Sequence, residues 1–222
     1  MGEIDTTIDR RCRGRPQIRP DDETRQVIYE AASNEFAASG YAATSIETVA
    51  RRAGVSTKTL YRLIPNKAAL FEGMVSDRLA RFDSEVNLHA DNHTDIEQAL
   101  CAALMACADL SLDDEVIAIQ RMVLQETGKF SSIARMFYIN AVQHTAAVLA
   151  DWLRLQKKRG LIALDDVDEA AGMLLGMVAS APRRAAIFGG LALPSRSEIE
   201  ARVRTCAAIF SRGCQVQRSR DS

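Results

Sequence analysis

The apolar residues of this chain recur at three- and four-residue intervals. Nowhere do they fall into the two-residue alternation of a half-buried strand. Val27, Ile28, Ala31, Ala32 and Phe36 form one such stripe. Leu70, Phe71, Met74, Val75, Leu79 and Phe82 form another. The pattern predicts an all-α fold. With 222 residues, 47% of them hydrophobic, the chain is long enough for one large or two small domains with a real core.

Composition excludes several classes. The longest charge-free apolar stretch, residues 170–182, is too short for a membrane span, which needs about 18–20 residues. The first residues carry Glu3, Asp5, Asp9, Arg10 and Arg11 without an apolar core, so no signal peptide is expected. Five scattered cysteines (Cys12, Cys101, Cys107, Cys206, Cys214), with no Cys-x-x-Cys pair, fit reduced thiols in a cytoplasmic protein. The net charge of −1 argues mildly against a nucleic-acid binder.

Helix signals divide the chain further. Residues 1–20 read as a flexible basic arm. Pro20-Asp21-Asp22-Glu23 opens a first helix that Gly40 ends. Thr44-Ser45-Ile46-Glu47 has capping-box spacing, with Thr44 as the expected cap of a short second helix. Gly54 ends it, in a turn that needs a positive φ. Ser56 caps a third helix from Thr57 to Leu63, and Asn66 caps a long fourth. The polar stretch from His89 to Thr94 reads as a loop, and Thr94 is the expected cap of the fifth helix. Asp113-Asp114 opens a sixth and Ser131 or Ser132 a long seventh closed by Gly160. Asp165-Asp166 opens an eighth, which Pro182 should kink, and Ser195-Arg196-Ser197-Glu198 opens a ninth.

The two short helices around Gly54 make a helix-turn-helix. The second of them would enter a DNA major groove. Ser56, Thr57, Lys58, Tyr61 and Arg62 on that helix are hydroxyls, a phenol and cations, the groups that meet phosphates and base edges. Helix-start amides near Thr44 and Lys67 suit phosphate. Tyr61 as a packing residue and Lys58 as a solvated charge are the plain alternatives.

The run Gly40-Tyr41-Ala42-Ala43-Thr44-Ser45-Ile46-Glu47, continued by Val49-Ala50-Arg51-Arg52-Ala53-Gly54-Val55-Ser56-Thr57 and Leu60-Tyr61-Arg62, resembles the DNA-binding segment of TetR/AcrR-type transcriptional regulators. Asn66-Lys67 with Leu70-Phe71 matches the start of that family's fourth helix. The resemblance implies three DNA-binding helices in residues 21–70. A ligand-sensing and dimerisation domain of about six helices follows in residues 71–222. It also implies a homodimer on a palindromic double-stranded operator, usually a repressor that a small molecule releases. By the same resemblance Thr44, Ser45, Tyr61 and Lys67 match backbone-contacting positions, and Thr57, Lys58 and Arg62 match or adjoin base-reading ones. An activator or a ligand-independent regulator of the same fold is the alternative within the class. The sequence departs from the family at Leu63, Ile64 and Ala68. Upstream, Arg13-Gly14-Arg15-Pro16 resembles short cores that lie in narrow minor grooves, with Arg13 and Arg15 as the inserted groups. A plain basic tail is the other reading.

Residues 121–190 resemble the C-terminal domain of AefR-like members, on Glu126, Phe130, Phe137-Tyr138, Leu149, Leu153, Gly160-Leu161, Leu175-Gly176-Met177 and Phe188-Gly189-Gly190. That implies a pocket for an apolar or aromatic effector. Met105, Met122, Phe137, Trp152, Met173 and Met177 are the candidate lining, with Gln120, Tyr138 and His144 as polar handles. A Met or aromatic stripe at helical spacing is more often core, which is the plain alternative for these residues. Gly172 and Gly176, and the stripe Ile199, Val203, Cys206 and Phe210, are candidates for a dimer seam, with burial inside one subunit as the alternative.

No nucleophile motif, phosphate loop or dinucleotide fingerprint is present, so neither an enzyme nor a cofactor is expected. His89 and His93 read as solvated rather than metal-binding. A helical carrier or enzyme is the remaining alternative class. The neutral average hides a division of charge. Residues 10–70 hold eleven Lys+Arg against six Asp+Glu, while residues 71–222 hold 17 against 20. The basic excess lies where DNA would bind.

Overall fold

The computed structural model describes residues 19–88 and 95–213. Every regular element among them is helical. The order is α1 (Asp21–Ala43), α2 (Ile46–Arg52), α3 (Thr57–Leu63), α4 (Lys67–Leu88), α5 (Ile96–Ser111) and α6 (Asp114–Glu126). Then come α7 (Ser131–Phe137), α8 (His144–Lys158), α9 (Val167–Leu175), α10 (Ala181–Gly189) and α11 (Arg196–Gly213). Two π-helical segments, Tyr138–Gln143 and Gly176–Ser180, fuse α7 to α8 and α9 to α10. Each expected long helix is therefore one rod with a widened turn. Pro182 lies in the first turn of α10, directly after the second π segment. The π segment adjoins the place where proline can neither donate nor fit an α-helical ladder.

Most caps fall where the sequence puts them. Asp113 accepts from the Glu115 and Val116 amides, and Asp166 from those of Asp168 and Glu169. Ser195 and Glu198 form a reciprocal box. Two caps lie one residue later than expected. Asp95 caps α5, accepting from the Glu97 amide; the expected Thr94 lies outside the described residues. Ser45, not Thr44, caps α2, accepting from the Thr48 amide at 3.1 Å. The Thr44 hydroxyl instead turns inward and donates to the Gly40 carbonyl at 2.7 Å, and the residue is 3% exposed.

Gly40 ends the regular part of α1, as expected. Its φ of 82° and ψ of 165° interrupt the helix before a last short turn. That region is open essentially to glycine alone. The broken end is packed by aromatics. Phe36 stacks on Tyr41 at 5.6 Å and meets Phe71 edge-on at 5.3 Å. Tyr41 meets Phe130 at 5.2 Å. Phe36 and Phe71 are fully buried, and burying such a side chain contributes roughly 1.5–3 kcal/mol.

The buried residues form two cores. One joins Ile28, Phe36, Val49, Leu60 and Phe71 of α1–α4 to Ile119, Met122 and Val123 of α6 and to Ile133 and Phe137 of α7. The other joins Phe82 and Val86 at the far end of α4 to α5, α8, α9 and α11. The expected boundary at residue 70 thus falls inside α4, and α6 and α7 pack with the helix-turn-helix.

The second core absorbs the expected dimer stripe. Ile199, Val203 and Cys206 are buried against α5 in the same chain, and Phe210 packs beside them. A four-three-four stripe serves an intramolecular helix pair as well as a seam between subunits. Cys101, Cys107 and Cys206 are free thiols, and burial pushes Cys107 up to about 12.

Gly40→Ala should destabilise the fold by about 1–3 kcal/mol, because alanine cannot hold this backbone conformation without strain. Urea unfolding followed by circular dichroism would measure it.

Candidate functional site

α2 and α3 are short helices joined by the turn Ala53–Ser56, in which Gly54 has a φ of 67°. Ile46, Val49 and Ala50 anchor α2, and Leu60 is the one fully buried residue of α3. The opposite face of α3 is left to solvent. Ser56, Lys58, Tyr61 and Arg62 are exposed, and Thr57 is half-buried. Tyr61 is 47% exposed, a large value for a tyrosine, so it is not a packing residue here.

Several of these groups already have partners. Ser56 Oγ accepts from the Thr59 amide at 3.0 Å. The Arg62 guanidinium forms a bidentate pair with Asp21 of α1, at 2.8 and 2.7 Å. Arg52 pairs with Glu35 at 2.8 Å.

Lys67, expected at a DNA phosphate, is engaged within the chain. Its ammonium does not point to solvent. It donates to the carbonyls of Tyr41, Ala42 and Thr44 at 2.8, 3.2 and 2.9 Å, over the Tyr41 ring at 4.8 Å. A lysine beside the frayed end of a helix has orphan carbonyls within reach, and they compete with any outside anion. Thr44 is likewise enclosed, at 3% exposed, while Lys67 is half-buried. Ser45 is half-buried and caps α2. Arg13 and Arg15 lie outside the described residues, as do His89 and His93.

A cavity of about 580 Å³ opens between the two cores. Met74, Val75 and Leu79 of α4, Ile119 of α6 and Phe137 of α7 wall one side. Gly172, Leu175, Ala179 and Arg183 of the α9–α10 rod wall the other. α1 also reaches it, through Tyr29, Glu30, Ser33 and Asn34. Glu115 binds the Ser33 hydroxyl and Arg78, each at 3.2 Å, tying α1, α4 and α6 together at the rim.

Of the nine expected effector residues, Gln120 and Phe137 line this cavity. Met105, Met122 and Trp152 pack in the cores instead. Tyr138 and Met173 face solvent, at 55% and 59% exposed. Met177 lies in a separate groove with Pro194 and Arg202. His144 Nε2 lies 2.9 Å from Asp83 Oδ1, away from the main cavity. Gly172 and Gly176, the glycines expected at a dimer seam, also line the cavity. A Cβ on Gly172 would meet nothing within 4 Å in the same chain. Sequence reasoning missed Tyr29, Arg78 and Arg183. For Arg183 there was a signal, a cation directly after the charge-free stretch 170–182.

Two family models match the chain. Residues 28–74 match the bacterial regulatory proteins of the tetR family, and residues 98–213 match the C-terminal domain of AefR-like transcriptional repressors. The chain belongs to the TetR family. Among its relatives is the HTH-type transcriptional activator FasR of Mycolicibacterium smegmatis, 32% identical over 116 residues, covering 49% of this chain and 53% of FasR. The chain thus spans about half the length of the curated relatives it matches. A crystal structure assigned to the TetR family from Mesorhizobium loti superposes with a TM-score of 0.77 at 24% identity, covering 90% of this chain and all of that one (100%). The flavonoid-responsive regulator FrrA superposes at 0.66 with 25% identity, covering 89% and 100%. Among the described residues no helix is long and apolar enough to cross a membrane.

The Arg62 guanidinium holds the Asp21 carboxyl below its ordinary value. The pair is therefore complete above about pH 3.9, the usual aspartate value, and is lost as pH falls through the lowered one. An NMR titration should find Asp21 below that value in the wild type and back near it in Arg62→Ala.

Proposed function

We propose that this TetR-family chain is a DNA-binding transcriptional regulator that acts as a homodimer and is released from a palindromic operator by a small effector. The observation that carries this is the double use of α1. Ile28, Ala32 and Phe36 pack into the core that holds α2 and α3. Tyr29 and Ser33, on another face of the same helix, line the cavity. A ligand that fits one arrangement of this wall better than another shifts the reader by its differential binding energy.

α3 would lie in the major groove. Tyr61 and Ser56 would position it on phosphates, and Thr57, Lys58 and Arg62 would reach base edges or phosphates. Arg13 and Arg15 would add contacts from the arm. Arg62 must exchange or share Asp21 to do so. Lys67 and Thr44 serve indirectly, by fixing the end of α1 and the start of α2.

The dimer surface proposed here is the outer face of the α9–α10 rod and α11. Met173 and Ile209 are 59% and 58% exposed there, and Arg202 joins the two elements through the Met177 carbonyl at 3.3 Å. Two recognition helices about 34 Å apart would then match successive major grooves on one side of the duplex. Repression is the mode we favour, since the sensing domain matches the AefR-like repressors; FasR carries the name of an activator. A soluble regulator of this kind would work in the cytoplasm, without catalysis.

Fluorescence anisotropy with duplex DNA flanking the gene tests the proposal. Affinity should fall steeply with salt, because phosphate contacts release counterions. Tyr61→Ala should weaken binding of the dimer about thirtyfold, the worth of one hydrogen bond of about 1 kcal/mol in each of two subunits. Lys58→Ala should lower the logarithmic salt slope by about 1.8, about 0.9 for a phosphate contact in each subunit. Salt-independent or absent binding would contradict a DNA-binding role.

A further inference from the structure

The cavity walls carry three arginines and three carboxylates, and they are not evenly matched. Arg78 lies between Asp113 at 2.7 Å and Glu115 at 3.2 Å. Arg81 pairs with Asp77 at 2.9 Å. Arg183 is half-buried and has neither an ion pair nor a hydrogen bond among the described residues. Glu30, the remaining carboxylate, stands exposed on α1. It is not among the charges that act on Arg183; the one that does is Arg184, another cation. Burial first, and Arg184 second, push the Arg183 pKa down, though a guanidinium stays protonated at any physiological pH.

A half-enclosed guanidinium without a counter-ion costs free energy that the rest of the fold must offset. Its planar fork matches a carboxylate bidentately. The cavity is roomy and part of its wall is apolar. Gly172 and Gly176 contribute no side chain to the wall, while Val75, Leu79, Ile119 and Phe137 face it from the other core. We infer that the cavity takes an amphipathic monocarboxylate, its carboxylate on Arg183 and its apolar body along Val75, Leu79, Ile119 and Phe137. This rests on the cavity being the effector site, and it narrows the effector from any apolar or aromatic molecule to an acid. One unpaired cation specifies one negative charge. A neutral ligand of the same shape would leave Arg183 desolvated and unpaired.

Paired probes test it on the full chain. Isothermal titration at pH 7.5 would compare 4-phenylbenzoate with 4-phenylbenzamide, and decanoate with decanamide. In at least one pair the acid should bind tenfold or more tighter than its amide. Arg183→Gln should erase that preference while still binding the amide, and Arg183→Lys should keep part of it. The Arg183→Gln protein should melt no lower than the wild type, since it loses an uncompensated charge; the wild-type comparison needs no variant. Equal binding of acid and amide, or an acid preference that survives Arg183→Gln, would overturn the inference and leave the cavity as an effector site. Failure of all four probes to bind would overturn both.

Discussion

The orientation of α3 depends on how the broken end of α1 is held. Gly40 interrupts the helix, and the carbonyls of Tyr41, Ala42 and Thr44 all lie within reach of the Lys67 ammonium. Charge-assisted bonds of this kind are about twice as strong as neutral ones. They fix the first residue of α4 against the last turn of α1. α2 begins two residues after Thr44, so its direction follows. α3 brings a single fully buried side chain, Leu60, and inherits its position from the rest. Glu126 reaches the same joint from α6 and accepts from the Ala42 amide at 3.2 Å. Phe130 closes over Tyr41 just beyond it.

That joint explains why the packing divides as it does. The helix-turn-helix is too small to enclose a core alone, and it borrows α6 and α7. The remaining helices build the second core around α5, α8 and α11. α4 passes through both. The cavity lies where the two cores meet and is walled by residues of each. Packed interfaces shift between discrete arrangements rather than deform continuously. On the proposed function, filling such a seam would shift the two cores relative to one another, and the helix-turn-helix belongs to one of them.

Much of this was legible in the sequence because it is local. Helical periodicity, the Asp113, Asp166 and Ser195 caps, and the breaks at Gly40 and Gly54 each depend on residues within a turn or two. The exposed face of α3 followed from the same spacing. The rest depends on tertiary placement. Thr44 and Ser45 both satisfy a capping pattern, and burial of the first decides between them. Lys67 is a long, flexible cation whose targets lie 23 to 26 residues away. Ile199, Val203 and Cys206 form the same stripe whether they meet α5 or a second subunit. Met122 and Phe137 are both apolar and only three-dimensional packing separates core from wall. Arg183 stands out only once its neighbours are known to lack a carboxylate.

α6 and α7 belong with α1–α4 as one packed unit, set against a second. Native-state hydrogen exchange across a denaturant series reads this directly, because amides of one cooperative unit share one opening free energy. Protected amides of α6 and α7 should merge with those of α1 and the first half of α4, and separately from those of α5, α8 and α11. Opening of α6 and α7 with α5, α8 and α11, leaving α1–α4 to open alone, would contradict this division of the packing.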